Sequence, residues 1–213
     1  MKIRLFALAA IMLMPLFSNA QEKSAADFKN EGNEALRSKD LQKALECYEQ
    51  AITLWGDEAE MATVYNAADC ARKLKKNERA IELFTMCENN GTYKPDYCAY
   101  YIAKAMEDIE GKEAERQTKL EASKEKYTEG KAVAFIKKDL AKIYLNEGKS
   151  HYDKASEILK ECEKAKPEQY AEIQGRAKEE FKLALPLFEK AAATDETNKN
   201  APAFINATKD QLK

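Results

Sequence analysis

Apolar and small residues recur along most of the chain with the period of an α-helix. From Ser24 onward they fall at i, i+4 and i+7 within runs of about 12 to 20 residues, a usual length for helices. These runs lack the alternating pattern of β-strands. Polar or glycine-containing breaks separate them at 38–40, 55–57, 89–91, 111–112, 128–130, near 167 and at 195–198. The pattern predicts an all-α protein made of consecutive helices.

One apolar motif repeats with a period of 36 residues. Its first copy places Ala44, Tyr48 and Ala51 on one helix face. The second copy, 36 residues later, is Ala80, Phe84 and Cys87. Small residues let two antiparallel helices approach closely, and the aromatic side chain fills the space between them. Self-similarity at this period is typical of stacked helical units that share one continuous core.

These motifs resemble those of the tetratricopeptide repeat (TPR) family. The unit 25–58 matches well, because Phe28, Gly32 and Ala35 precede the second-helix motif at the family's spacing. The later units are less regular. They are 61–94, 95–131 and 132–197, followed by a segment at 199–213 that is expected to form a capping helix.

The last unit resembles a stretched copy of the first. Gly148 ends its first-helix motif and Ala184 begins its second-helix motif, with 24 more residues between them than in the first unit. The resemblance implies a right-handed superhelical array of antiparallel helix pairs, with an elongated C-terminal hairpin and a cap. It also implies a concave groove, lined by the first helix of each pair, that binds a protein or peptide.

The stripe beside the buried face of each first helix is the candidate binding surface. A shift of one residue turns a helix by about 100°, which leads from Phe28 and Gly32 to Lys29 and Asn33. In the third unit the shifted stripe is Ala99, Ala103 and Met106. The candidate partner-binding residues of the three units are Lys29, Asn33, Tyr65, Asn66, Asp69 and Tyr100.

Three of these residues also resemble part of a known clamp. Lys29, Asn33 and Asn66 match members of a site that holds a C-terminal carboxylate in some co-chaperone members of the family. Asp96 and Tyr100 occupy the places of the two basic residues that complete that site. The resemblance therefore favours a groove for a polar, extended segment over a complete carboxylate clamp.

Tyrosines are concentrated in the third unit, at Tyr93, Tyr97, Tyr100 and Tyr101. Tyr97 and Tyr101 lie four residues apart and share a helix face. Two interpretations stay open. The rings either pack the third unit against the second or form an aromatic floor in the groove, where tyrosine supplies contact area at low entropy cost.

The first 20 residues have the pattern of a secretory signal peptide. Lys2 and Arg4 precede an apolar run from Leu5 to Phe17, and Ser18-Asn19-Ala20 places small residues before a cleavage point. The apolar run is too short to span a bilayer. We therefore predict cleavage after this tripeptide, a mature single-domain chain of residues 21–213 with no transmembrane segment, and a periplasmic or otherwise exported location.

Composition and motifs argue against nucleic-acid binding, metal binding and catalysis. Lys and Arg number 35 against 37 Asp and Glu, whereas nucleic-acid-binding domains are usually basic. His151 is the single histidine, and the sequence has no Cys-x-x-Cys pair for zinc. We expect no cofactor, no metal and no catalytic residue. The sequence predicts a protein-binding or peptide-binding module, with a glycan-acting hydrolase using paired carboxylates, or a purely structural subunit of an envelope assembly, as alternatives.

The five cysteines include two candidate disulfide pairs. Cys47 and Cys70 are equidistant from one predicted turn, and Cys87 and Cys98 from the next, so the members of each pair lie level on antiparallel helices. An exported chain can form disulfides. The alternative is that all five, including Cys162, are small buried hydrophobic residues.

The segment 112–131 carries 11 charged residues in 20. Oppositely charged neighbours at i, i+4 support a helix. The segment predicts a solvated helix with one thin packed stripe, and a docking surface is the alternative. A change such as Glu121→Ala is predicted to have little effect on stability.

Overall fold

The computed structural model describes residues 22–213, so the predicted signal peptide lies outside the described residues. Over this range the chain is all-α, as predicted, and contains no strand. Short 3-10 turns lie at Gly56–Glu58, Glu161–Glu163 and Pro167–Gln169. The helices are α1 (Ala25–Arg37), α2 (Leu41–Trp55), α3 (Met61–Lys73), α4 (Asn77–Asn90), α5 (Pro95–Met106), α6 (Glu113–Lys126), α7 (Lys131–Lys160), α8 (Tyr170–Thr194) and α9 (Ala201–Leu212).

Consecutive helices pack on one another as a stack of antiparallel pairs. The largest helix–helix interface joins α7 and α8, which contain 30 and 25 residues. At about 1.5 Å per residue, α7 is roughly 45 Å long. The elongated C-terminal hairpin predicted from the spacing of the last unit is therefore confirmed. Among residues 22–213, no helix combines the length and the apolar character that crossing a membrane requires.

A glycine beneath an aromatic ring sets the closest approach in two helix pairs. A Cβ atom added to Gly32 on α1 would lie 2.6 Å from Cε1 of Tyr48 on α2. A Cβ atom added to Gly148 on α7 would lie 2.8 Å from Cε1 of Phe188 on α8. Both rings are fully buried. The stretched last pair thus packs by the same contact as the first.

The connections inside the first two pairs have the same backbone structure. Lys39 and Lys75, which are 36 residues apart, both adopt positive φ, at 65° and 60°. Asp40 N–H donates to the Ala35 carbonyl, and Lys76 N–H donates to the Ala71 carbonyl, each at 2.9 Å. The break at 74–76 is missing from the breaks predicted above. It contains neither glycine nor proline, and Lys76 makes no side-chain cap to α4.

The charged helix α6 is held in place by buried and half-buried polar contacts. Leu120 and Ser123 form its thin packed stripe. Glu88 on α4 is only 7% exposed, and it accepts hydrogen bonds from Lys119 at 2.5 Å and from the Tyr127 hydroxyl at 3.2 Å. These contacts join α6 to α4 across the third unit.

The last helix covers the end of the elongated hairpin. Phe204 on α9 stacks on Phe188 with ring centroids 4.9 Å apart, and it meets the Tyr152 ring edge-on at 5.7 Å. Ala201 and Thr208 are fully buried. The predicted cap at 199–213 is therefore observed as a helix that closes the core.

Candidate functional site

Aromatic side chains connect the first helices of three successive pairs. The Tyr65 ring on α3 lies 6.4 Å from the Tyr101 ring on α5. Tyr100 lies 5.4 Å from Tyr101 and 5.5 Å from Phe135 at the start of α7. The first helices therefore present one surface. We call it the first-helix surface and define it by Lys29, Asn33, Tyr65, Asn66, Asp69, Arg72, Tyr97, Tyr100, Tyr101 and Phe135.

Cationic groups lie over several of these rings. The Arg72 guanidinium is 4.6 Å from the Tyr101 centroid, and it also pairs with Asp69 at 2.6 Å. The Lys94 ammonium lies 5.0 Å from the centroids of both Tyr65 and Tyr93. Within the described part of the chain, no carboxylate forms an ion pair with Lys94.

Two of the predicted binding residues serve the core of the first unit. The Tyr48 hydroxyl donates a hydrogen bond to Asn33 Oδ1 at 2.9 Å, and Asn66 lies beside that hydroxyl. Burial raises the pKa of Tyr48 to about 12, although the contact with Asn66 opposes the shift. The structure places the two asparagines around the hydroxyl of a buried tyrosine.

Lys29 is also engaged within the protein. Its ammonium pairs with Glu60 at 3.2 Å and lies 5.9 Å from the Trp55 ring centroid. Asp96, in the place of a basic residue of the carboxylate clamp, lies beside Gly130, where an added Cβ would be 2.9 Å from its Oδ2. The positive charges of the first-helix surface are thus Lys29, at its first unit, and Arg72 with neighbouring Lys94 near its aromatic row.

The titratable groups of this surface are shifted by burial and by their partners. Burial alone would raise the pKa of Asp69, but hydrogen bonds from Lys73 and Arg72 outweigh it, so the pKa falls below its usual range. Asp69 is therefore ionised at neutral pH. Burial raises the pKa of Tyr65 and of Tyr100, so both hydroxyl groups remain protonated.

The prediction for the third unit is wrong in one respect. Ala99, Ala103 and Met106, expected to line the groove, are buried. The reason is that α5 packs against both α6 and α7. Arg116 of α6 even donates a hydrogen bond to the Ala103 carbonyl at 3.2 Å. Tyr100 stays half-buried at the edge of this contact, where it meets Phe135.

Phe135 is a member of this surface that the sequence analysis missed. Its side chain is 45% exposed although it is a large apolar group. It also borders a cavity of about 410 Å³ between the start of α7 and the end of α8. Ile136 and Leu140 of the same helix are fully buried. The period of the helix turns Phe135 away from that buried face, a signal that was present in the sequence.

The remaining candidate chemistry lies elsewhere. His151 Nδ1 is 2.8 Å from Glu180 Oε2, on the elongated hairpin. Lys154 also pairs with Glu180, at 2.5 Å. Among residues 22–213, no group of His, Cys, Asp and Glu side chains is arranged to hold a metal ion. All five cysteines have free thiols; four of them are buried, and Cys162 is half-buried.

Two solved structures share this architecture. The first is a TPR repeats protein from Bacteroides fragilis NCTC 9343, with a TM-score of 0.59 and 20% identity over 88% of this chain and 98% of that one. The chain has a TPR fold. The second is a candidate protein-binding protein from Bacteroides ovatus ATCC 8483, with a TM-score of 0.53 and 13% identity over 90% of this chain and 100% of that one. No protein-family model matches the TPR array of this chain, and no curated protein is significantly similar to it.

Proposed function

We propose that this protein is an exported, non-enzymatic interaction module that holds an extended segment of a protein or peptide partner in a process of the cell envelope. The observation that carries the proposal is the row of rings from Tyr65 to Phe135 on the first-helix surface. Aromatic residues and arginine are enriched where protein interfaces gain most of their affinity. The pattern of residues 1–20 supports export.

The chemistry of the surface favours a partner with both apolar and acidic side chains. Tyr100 and Phe135 offer a partly exposed apolar face beside a cavity. Lys94 offers a cation that stacks on rings and has no carboxylate partner among the described residues. A partner segment that places an apolar side chain against Phe135 and an acidic group near Lys94 satisfies both. Such a segment lies across α3, α5 and α7.

The experiment is a comparison of two exposed apolar positions. Peptides are selected by display against the purified protein, and the dissociation constant of the best binder is measured by calorimetry. Phe135→Ala is expected to weaken binding tenfold or more, about 1.4 kcal/mol. Leu183 on α8 is 52% exposed and lies off the first-helix surface, so Leu183→Ala is the matched control.

The two variants distinguish a binding site on the first-helix surface from a site elsewhere and from a non-specific loss of affinity. Unchanged affinity in Phe135→Ala, with normal helicity by circular dichroism, would place the binding site off this surface. An equal loss in Leu183→Ala would show that the loss in Phe135→Ala is not specific to the site.

A further inference from the structure

Two cysteines of neighbouring helices share one hydrogen-bond acceptor. The Cys87 sulfur on α4 lies 3.2 Å from the carbonyl oxygen of Tyr93, and the Cys98 sulfur on α5 lies 3.8 Å from the same oxygen. Both side chains are fully buried. They belong to one core cluster and flank the connection between α4 and α5. The two thiols are therefore neighbours across an antiparallel turn.

We propose that Cys87 and Cys98 form a disulfide when the protein meets a disulfide oxidant. The geometry favours this pair over the other candidate pair. Cys70 belongs to the core cluster that contains Cys87 and Cys98, whereas Cys47 lies outside it. The proposal is independent of partner binding.

The reaction is two successive thiol–disulfide exchanges with a disulfide such as oxidised glutathione. The Cys87 thiolate attacks one sulfur of the oxidant, forms a mixed disulfide and releases one glutathione thiolate. The Cys98 thiolate then attacks the Cys87 sulfur of that mixed disulfide and releases the second glutathione thiolate. The two cysteines lose two electrons and their two protons, and the oxidant is reduced to two glutathione thiols.

The order of attack follows from the influence that the two neighbouring thiols have on each other. The neighbouring Cys98 thiol lowers the pKa of Cys87 despite burial, whereas the Cys87 thiol and burial together raise the pKa of Cys98. The thiolate is the nucleophile in such exchange, so Cys87 reacts first. Because both sulfurs are buried, exchange takes place during folding or while the α4–α5 connection is locally open.

The bridge would fasten a segment that borders the first-helix surface. Tyr93, whose carbonyl lies between the thiols, packs its ring edge-on against Tyr65 at 5.4 Å. Lys94 follows Tyr93 and lies over both rings. Closing the loop between Cys87 and Cys98 therefore restrains the segment that positions the unpaired ammonium group. It also stabilises the fold by restricting the unfolded chain.

The test begins with the wild-type protein, so that it does not depend on a variant folding. The purified chain is equilibrated in a glutathione buffer as oxidising as secretory compartments, unfolded in alkylating reagent and mapped by mass spectrometry without reduction. Three free thiols, in place of the five of the reduced protein, and one peptide pair linking Cys87 to Cys98 are expected. The thermal midpoint should fall by several degrees when reductant is added.

Two matched variants show whether the change in thermal midpoint comes from a bridge between Cys87 and Cys98. Cys98→Ala should abolish the effect of reductant on the midpoint, whereas Cys162→Ala should retain it. A single free thiol with Cys87–Cys98 among the mapped pairs also supports the proposal. Five free thiols after equilibration would overturn it, and so would a map in which Cys87 and Cys98 remain alkylated while Cys47 and Cys70 are joined.

Discussion

The contact between Gly32 and the Tyr48 ring is the narrowest point of the first helix pair. The ring is fully buried in the core. The Tyr48 hydroxyl is also held by Asn33 at 2.9 Å. The position of the ring is therefore restrained at both its edge and its tip, and the helices can approach only where no Cβ atom intervenes.

Gly32→Ala is expected to destabilise the protein by about 1–3 kcal/mol, as overpacking usually does. Gly175, also within a helix, has open space around it, with nothing within 4 Å of an added Cβ. Gly175→Ala is therefore expected to stabilise by about 0.5–1 kcal/mol through helix propensity alone. Urea unfolding of the two variants measures both changes in stability. Equal effects of the two changes would mean that the Gly32 contact does not limit packing.

At this scale the sequence predicts local spacing better than it predicts pairing. The positions of Gly32, Tyr48 and Phe188 follow from motifs within single helices. The hydrogen bond from Tyr48 to Asn33 does not, because it depends on how α1 and α2 are rotated about their axes. Asn33 was consequently predicted as a groove residue, with no sign that its side chain also serves the core.

Among the elements, α6 departs most from its sequence pattern. Glu121 was expected to lie on a solvated face, but it accepts hydrogen bonds from the Tyr144 hydroxyl and from Lys190 at 3.2 Å. Arg116 of the same helix pairs with Asp139 of α7 at 3.1 Å. Charged residues thus attach α6 to α7 and α8. A small effect of Glu121→Ala on stability is no longer expected.

The acid sensitivity of the fold should depend on Glu121. The hydrogen bond from Tyr144 lowers its pKa below the ordinary value of 4.5. A carboxylate with a lowered pKa in the folded state stabilises the fold above pH 4.5 and loses that contribution as the pH falls through the lowered value. Glu121→Gln should therefore show a smaller loss of stability on acidification than the wild type.

Urea unfolding between neutral and acidic pH measures this difference. The side chain of Glu121 is 39% exposed, so at neutral pH the cost of the change is expected to be at most about 1 kcal/mol. Glu125, whose side chain is 78% exposed, provides the control. Glu125→Gln should follow the wild-type pH profile. Identical profiles for all three proteins would show that the Tyr144 contact does not stabilise the fold.

Helix boundaries could be predicted wherever the chain contains a recognisable stop signal. The breaks near Gly56, Gly91 and Gly111 were predicted, and each of these glycines has positive φ. The turn at Lys75 was not predicted, because lysine occupies a backbone conformation that usually marks glycine. Comparison with Lys39, one period earlier, was the available signal.

At the scale of the whole molecule, the compartment of the protein determines which oxidants and partners it can meet. We expect the native protein to begin at Gln21, because a basic start, an apolar run and small residues precede that position. Intact-mass measurement of protein from the envelope fraction checks this expectation. A chain in the cytoplasmic fraction that still carries Met1 would contradict it. The same preparation supplies material for counting free thiols.

The order of helix packing has a consequence for how the molecule is made. Each large helix–helix interface joins neighbours in the sequence, and α5 against α7 is a minor departure from this order. Chains with such local contacts close short loops and fold within roughly microseconds to milliseconds. In a repeat array, structure can also begin in one unit and spread to the next. The α1–α2 pair can therefore form while the residues of α8 are still being synthesised.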